Sequence, residues 1–377
     1  MNVIHVIRDL SRTSGGLATA VLGLAETQAV LGHGVGIVAT DYALGKQPEP
    51  RGVEVALSCC RWPWWRWSGG LRSVLLKEVQ KADIVHLHGV WDYPILAAAS
   101  ICLKKKKPYV LSAHGMLDGW GMGQKTWKKA WYLRLFGNSL LRRAAGIHFT
   151  SESERRNSSA PGKNSRGFVA PLGVSVSRKD LPPSPSFGEK FPVITGRPFV
   201  LYLARLHDKK RPDVVIKAFG RISGFYSDLL LVMAGGGEKS YVRILRDLVR
   251  RLGLVDRVVF AGALEGETVW EAYGAARIFV LPSLQENFGF SVMEAMAAGC
   301  PVVASDRIDF ACEIAEAQAG LLCAPEEEPL AAAMRELLDD ESLRRRTAEN
   351  GRRFVLENFT WEKAARRFTD FYERILS

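Results

Sequence analysis

The sequence predicts an α/β protein built from two doubly wound, Rossmann-like domains, and three observations lead there. The chain of 377 residues is longer than one hydrophobic core normally serves, so two domains of ordinary size are expected. Short β-branched runs alternate with longer helical stretches, the pattern of parallel strands covered on both faces. That alternation occurs twice, on either side of Arg178–Pro198, a stretch with five prolines and no periodicity that reads as a linker.

Taken in order, Val3–Ile7, Val35–Ala39, Ile84–Leu87, Tyr109–Ser112 and Gly146–Thr150 read as buried strands of the first half. Between them, Leu17–Leu31 reads as a helix stopped by Gly32, and Thr126–Arg143 as a second helix. In the second half Phe199–Ala204, Leu229–Ala234, Val258–Ala261, Ile278–Leu281 and Val302–Ser305 read as strands. Pro212–Ile222, Ser240–Leu252, Thr268–Ala275 and Ser291–Ala298 are their helices. After Pro325 the pattern is purely helical, over Pro329–Leu338, Leu343–Asn358 and Trp361–Leu376. The last of these carries Trp361, Ala365, Phe368, Phe371, Tyr372 and Ile375 along one side.

Composition narrows the class. With 47% hydrophobic and 24% charged residues the chain is neither disordered nor fibrous. Its longest uncharged apolar stretch, Pro94–Leu103, is about half of what a membrane-spanning helix needs. MNVIHVIRDL lacks the basic start of a signal peptide, and the six cysteines show no CxxC pair, so reduced thiols in the cytoplasm are expected. The net charge of +11 is lopsided. Residues 1–190 hold 26 Lys+Arg against 13 Asp+Glu, whereas residues 191–377 hold 25 against 27. The excess peaks between Cys102 and Arg143, where Lys104–Lys107, Lys125, Lys128, Lys129, Arg134, Arg142 and Arg143 face a single acid, Asp118. Such a surface suits an anionic partner, nucleic acid or membrane, or is merely solvated.

Doubly wound sheets bind ligands at the carboxyl ends of their strands, so those loops hold the candidate residues. After the first strand, Gly15 and Gly16 open a helix; lacking Cβ atoms, they admit a phosphate or sugar to its amides, or simply make a tight turn. After Phe199–Ala204, Arg205 and Lys210 flank a strand-to-helix turn closed by Pro212. They could neutralise a diphosphate, or form a solvated basic turn. The stretch Leu281–Pro301 is richer. Glu286 falls in a loop, Gly289 at a helix start whose amides favour anions, and Glu294 one turn inside an otherwise apolar helix. A carboxylate there needs hydrogen bonds, which a ribose diol would supply; otherwise both glutamates are partly exposed acids at a helix start.

Glu-x7-Glu after LPS, followed by EAMAAGCPVVASD, resembles the signature of retaining glycosyltransferases of the GT4 (group 1) family, which have the GT-B fold. GG at 15–16, VHLHGVW at 85–91, SAHGML at 112–117, LARLHDKKRPD at 203–213, MAGGGE at 233–238 and FAGAL at 260–264 match further motifs in the family's order. The resemblance covers nearly the whole chain and is close over 199–306. It implies two Rossmann-like domains facing each other across a cleft: 1–185 for the acceptor, 186–358 for the nucleotide sugar, and 359–377 as a helix crossing back to the first. It implies that Arg205 and Lys210 grip the donor diphosphate, that Glu294 binds the ribose, and that Leu264 lies near the base. Glu286 would bind the transferred sugar, with the amides of Asn287, Phe288, Gly289, Phe290 and Ser291 holding sugar and phosphate. His114 matches the family's active-site histidine, and Gly16, beside Gly15, would let the first domain close on the phosphate. His86 and His88 alternate with apolar residues on a buried strand and read as structural.

No Asp-x-Asp pair and no spacing of histidines with carboxylates suggests a metal, so Arg, Lys and helix dipoles would offset the leaving charge, with no cofactor. Retention by front-face displacement, with Glu286 a sugar ligand rather than a nucleophile, is implied by the resemblance alone. Arg211-Pro212 and Gly237-Glu238 depart from the family's usual pairs and leave the nucleotide base, UDP or GDP, unread. The acceptor is expected on the first half. There Arg61–Trp67 and Trp120–Trp131 combine tryptophan with Lys or Arg, as interfacial anchors do. This points to a glycan or lipid-linked glycan acceptor in surface-polysaccharide assembly (lipopolysaccharide, O-antigen or exopolysaccharide). The protein would sit peripherally on the anionic inner face of the cell membrane. The alternative is that the tryptophans pack in the core. No helix-turn-helix, zinc finger or RNP-like strand supports nucleic-acid binding. A same-fold epimerase, a silent nucleotide-sugar-binding partner and a transferase with a small soluble acceptor are the remaining readings.

Overall fold

The computed structural model describes residues 1–11, 14–45, 49–123, 126–175 and 185–377. The expected basic residue Lys125 and the linker portion 178–184 lie outside the described residues. The chain forms two compact units, Met1–Gly173 with Phe359–Ser377, and Val174–Asn358. The boundary read from the sequence at 185/186 therefore lies inside the second unit.

The first unit is a seven-stranded, wholly parallel sheet of β1 (Asn2–Asp9), β2 (Gly34–Thr40), β3 (Val53–Ser58), β4 (Ile84–His88), β5 (Tyr109–Ser112), β6 (Gly146–Phe149) and β7 (Gly167–Val169), in the order 3-2-1-4-5-6-7. The side-chain period of two splits its faces. Ile4, Val6, Val85, Leu87, Leu111 and Ile147 enter a core under the helices Leu71–Lys81 and Tyr93–Lys105. The opposite face lies under Gly16–Val30 and Trp361–Leu376. Trp361 packs against both Gly23 and Gly173, where any Cβ would collide with its indole or backbone. Phe371 stacks on Phe168 with centroids 3.6 Å apart.

The second unit repeats the plan with six parallel strands: β8 (Phe199–Leu203), β9 (Leu230–Ala234), β10 (Val258–Gly262), β11 (Ile278–Leu281), β12 (Val302–Ser305) and β13 (Leu321–Cys323), in the order 10-9-8-11-12-13. In both sheets the strand order reverses beside the first strand, at β1/β4 and β8/β11, where such sheets bind ligands.

Three expectations are corrected. β3, β7 and β13, edge or near-edge strands of three to six residues, were not anticipated. The stretch read as an aperiodic linker begins its described part with a helix, Pro185–Lys190, which packs Phe187 on Phe199 and Phe191. Thr126–Arg143 is not one α-helix: Thr126–Tyr132 and Asn138–Arg143 are separated by a π turn, Leu133–Gly137.

Candidate active site

In the second unit the loops after β8, β9 and β11 interlock. Gly235, at φ +142°, sits so close to the Ala204 carbonyl that a Cβ would collide with it. Leu206 N–H donates to the Gly236 carbonyl at 2.8 Å, and Leu206 pairs with Gly237. The GGG run is therefore a close approach of backbones that sets the turn carrying Arg205. Arg205 is exposed and has no ion-pair partner among the described residues. Lys210 ends a 3-10 turn, Asp208–Lys210, and ion-pairs with Glu286 from the loop after β11. The Ser283 hydroxyl donates to the same Glu286 oxygen at 2.7 Å. Burial opposes ionisation of Glu286, but Lys210 and Ser283 outweigh it and hold its carboxyl below the usual range. Glu286 and Lys210, 76 residues apart, are thus brought together in a partly buried pair.

Gly289 caps helix Phe290–Ala297 in the left-handed region, φ +70°, and its carbonyl accepts from the Val292 and Met293 N–H groups of the first turn. The Asn287 side chain donates to Asp309 at 3.1 Å. The Phe288 ring is buried edge-on to Phe290 and Phe310, a packing role the sequence did not reveal. Glu294 accepts from the buried Tyr273 hydroxyl at 3.2 Å. Burial pushes its carboxyl up to about 7, against the partial relief of that bond. One donor leaves most of its acceptor capacity unused, as a site for a diol requires. Leu264 lies half-buried in the loop between β10 and helix Glu267–Ala275.

In the first unit, Gly15 (φ +53°, ψ −131°) caps helix Gly16–Val30 in a conformation closed to L-residues, with open space where a Cβ would be. The preceding Asp9, fully buried at the end of β1, accepts from Ser11, from Ser14 at 2.7 Å and from Arg66 at 2.6 Å. Arg66, grouped with the surface tryptophans from sequence, is instead buried between Asp9 and the Tyr42 ring. His114 follows β5 with φ +51°, unusual for a residue with a Cβ, and the loop is braced by Glu154. Glu154 accepts from Gly115 N–H at 2.7 Å, Thr150 N–H at 2.6 Å and the Thr150 hydroxyl at 2.9 Å. Ser151 caps the helix that carries Glu154, an N-terminus signature readable in Ser-Glu-Ser-Glu.

The sheet register also gathers histidines whose sequence spacing gave no sign of it. His5 pairs with His86, and Ser112 with both His88 and His148, so five side chains share one face. Ligand atoms of His5, His86 and His88 lie within 4.8 Å of one another. They are engaged in hydrogen bonds: His5 Nδ1 to His88 Nε2 at 2.9 Å, and His86 to Ser112 and Tyr372, each at 2.6 Å. His86 and His88 are buried, and His88 Nδ1 lies 3.1 Å from His114 Nε2.

Residues 186–354 match the family described as glycosyl transferases group 1, and residues 15–173 match the glycosyl transferase 4-like domain. The chain belongs to the group 1 glycosyltransferases. An uncharacterized glycosyltransferase of Methanocaldococcus jannaschii is 26% identical to this glycosyltransferase over 96% of the chain and 95% of its own length. A D-inositol 3-phosphate glycosyltransferase of Xylanimonas cellulosilytica is 31% identical over 55% of this chain and 51% of its own. Anabaena HepE, solved in complex with UDP and glucose, superposes with a TM-score of 0.80 at 18% identity, covering 99% of this chain and all of its own. WaaG, a glycosyltransferase involved in lipopolysaccharide biosynthesis, superposes with a TM-score of 0.74 at 18% identity, covering 98% and 99%. The two parallel sheets of this glycosyltransferase are those of the two-domain, Rossmann-like GT-B fold.

Proposed function

We propose that this glycosyltransferase moves a hexosyl group from a UDP- or GDP-sugar, with retention and without a metal, to a hydroxyl of a lipid-linked glycan. The setting is surface-polysaccharide assembly at the inner face of the membrane. The observation that carries the donor half is the Lys210–Glu286–Ser283 cluster beside the Arg205 turn, with Glu294 nearly unsatisfied in the same unit. Arg205 and Lys210 offset the charge that grows on the departing diphosphate, helped by the amides at Gly289–Ser291. Glu294 takes the ribose diol, Leu264 borders the base, and Glu286, ionised through Lys210, accepts from hydroxyls of the sugar. The bond from the anomeric carbon to the phosphate oxygen breaks with its electron pair on the phosphate. That phosphate takes the proton of the acceptor hydroxyl, whose oxygen bonds the anomeric carbon from the same face. His114 meets a substrate hydroxyl in the first unit.

The acceptor half draws on exposure. Trp64 and Trp127 are 75% and 66% exposed, and Trp62, Trp131, Leu135 and Phe136 are exposed with them, so these side chains are not core. The two tryptophan-rich stretches are neighbours: Trp65 donates to the Trp91 carbonyl at 3.1 Å, and Trp91 meets Tyr132 edge-on at 5.3 Å. Aromatic residues among lysines are the composition of an interfacial anchor. Among the described residues no helix is long and apolar enough to cross a membrane.

The test is a thermal-shift panel of UDP, GDP, ADP and their sugar conjugates with EDTA present. One nucleoside diphosphate is expected to raise Tm by mass action, and Arg205→Ala and Glu294→Ala to abolish the shift. Silence toward every nucleotide would sink the donor assignment.

A further inference from the structure

Five of the seven histidines meet on the face of the first sheet that helices Gly16–Val30 and Trp361–Leu376 cover. Burial keeps all five neutral. It lowers His5 and His148 to about 4 and His114 to about 3, and takes His86 and His88 well below the ordinary histidine range. Each ring therefore has one N–H and one lone pair, and a hydrogen bond between two rings uses one of each.

The order of protons follows in two runs, each from an end that only accepts. The Ala170 carbonyl only accepts, so His148 Nε2 carries the proton of their 2.7 Å bond. His148 Nδ1 then accepts, from the Ser112 hydroxyl at 2.7 Å. The Ser112 oxygen in turn accepts from His86 Nε2–H at 2.6 Å, and His86 Nδ1 accepts from the Tyr372 hydroxyl at 2.6 Å. The Tyr372 oxygen keeps lone pairs for a donor. The Gln28 amide nitrogen nearby is buried with no hydrogen-bond partner, so this run of hydrogen bonds ends at Tyr372. A second run starts at Gln28 Oε1, which only accepts and faces His5 Nε2 at 2.8 Å, so His5 donates. His5 Nδ1 accepts from His88 Nε2–H at 2.9 Å, and His88 Nδ1 accepts from His114 Nε2–H at 3.1 Å.

We propose that this second run, a buried relay from the Gln28 amide oxygen through His5 and His88, fixes the tautomer of His114. Nε2 carries the proton, and Nδ1 is held as a bare acceptor for a substrate hydroxyl. An ionised phosphate oxygen, which has no proton to give, is refused at that atom. Gln28, His5 and His88 are positioning residues: they touch no reacting atom and act through His114. The inference rests on the reading that His114 meets the sugar, but the tautomer itself is measurable without any substrate.

The test is histidine-selective ¹⁵N labelling of the full chain, with long-range ¹H–¹⁵N correlation spectra and His114→Asn to assign the resonance. The expected result in the parent protein is a single tautomer, with Nδ1 of His114 unprotonated and Nε2 protonated. Gln28→Met, which removes both amide groups, is expected to populate the two tautomers together. If Gln28→Met does not fold, His5→Phe cuts the run between Gln28 and His88 and should mix the same two tautomers. A parent His114 protonated on Nδ1, or a pattern unchanged in a folded Gln28→Met or His5→Phe protein, would overturn the relay. If the tautomer is as described yet sugar conjugates leave the His114 resonances unmoved, the relay stands and the sugar contact falls.

Discussion

Glu294 is an acid inside an apolar helix with one hydrogen bond to offset its burial. Its folded-state pKa, about 7, lies above that of the unfolded chain, so the folded protein holds this proton more tightly. Stability from this group is therefore fully present below the ordinary carboxylate range and is lost as pH rises toward about 7. Glu294→Gln removes that dependence. The Tm of the variant minus that of the parent is expected to grow over this window and then level off, with an effect of order ~1–3 kcal/mol after allowance for partial solvent screening. A flat difference across the titration would show the carboxyl already ionised. Glu286 behaves oppositely because Lys210 stands against it, and that contrast suits one glutamate to a diol and the other to permanent charge.

Between residues and fold, short elements hold the first unit's candidate loop. Helix Glu152–Asn157 is only six residues long, yet through Glu154 it satisfies backbone donors at the ends of both β5 and β6. Glu154→Ala strands the buried N–H of Thr150, at about 1–3 kcal/mol, and the half-buried N–H of Gly115, at less. A marked fall in Tm is expected, with faster amide exchange at 113–116, and a smaller fall in Glu154→Gln. Exchange there no faster than in the parent would remove Glu154 from the loop's support. At this scale the limits of the sequence are also plain. Five strands per half were legible because VIHVI, IVHL or IFVL is β-branched and apolar but for a histidine, as a strand covered on both faces can be. VEVALS of β3, GFV of β7 and LLC of β13 were not, because edge strands are short and half-covered. Of the candidate site, the loop residues could be located because they follow strands, whereas Glu154, Ser283, Tyr273 and Gln28 could not. Their partners lie 3 to 39 residues away along the chain and are chosen by tertiary packing. The histidine cluster likewise depends on register, which spacing does not encode.

For the whole molecule, charge and exposed tryptophan fall on the same unit, since Lys104–Lys106, Lys128 and Arg134 are exposed there with Trp62, Trp64, Trp127 and Trp131. Sedimentation with anionic liposomes at low salt should retain the protein. Added salt should weaken binding within the range where the Debye length falls below about 10 Å. Trp64→Ser with Trp127→Ser should reduce it several-fold at unchanged Tm, and a parent protein left wholly in the supernatant would end the membrane reading. The way the chain threads its two units has a further consequence. Residues 359–377 belong to the first unit, where Phe368 and Tyr372 are fully buried and Trp361 fills the notch at Gly23 and Gly173. On the ribosome, residues 174–358 emerge before that closing helix does. The second unit can mature while the first, begun earlier, still waits with one face of its sheet uncovered, so the half of the protein made first is the half finished last.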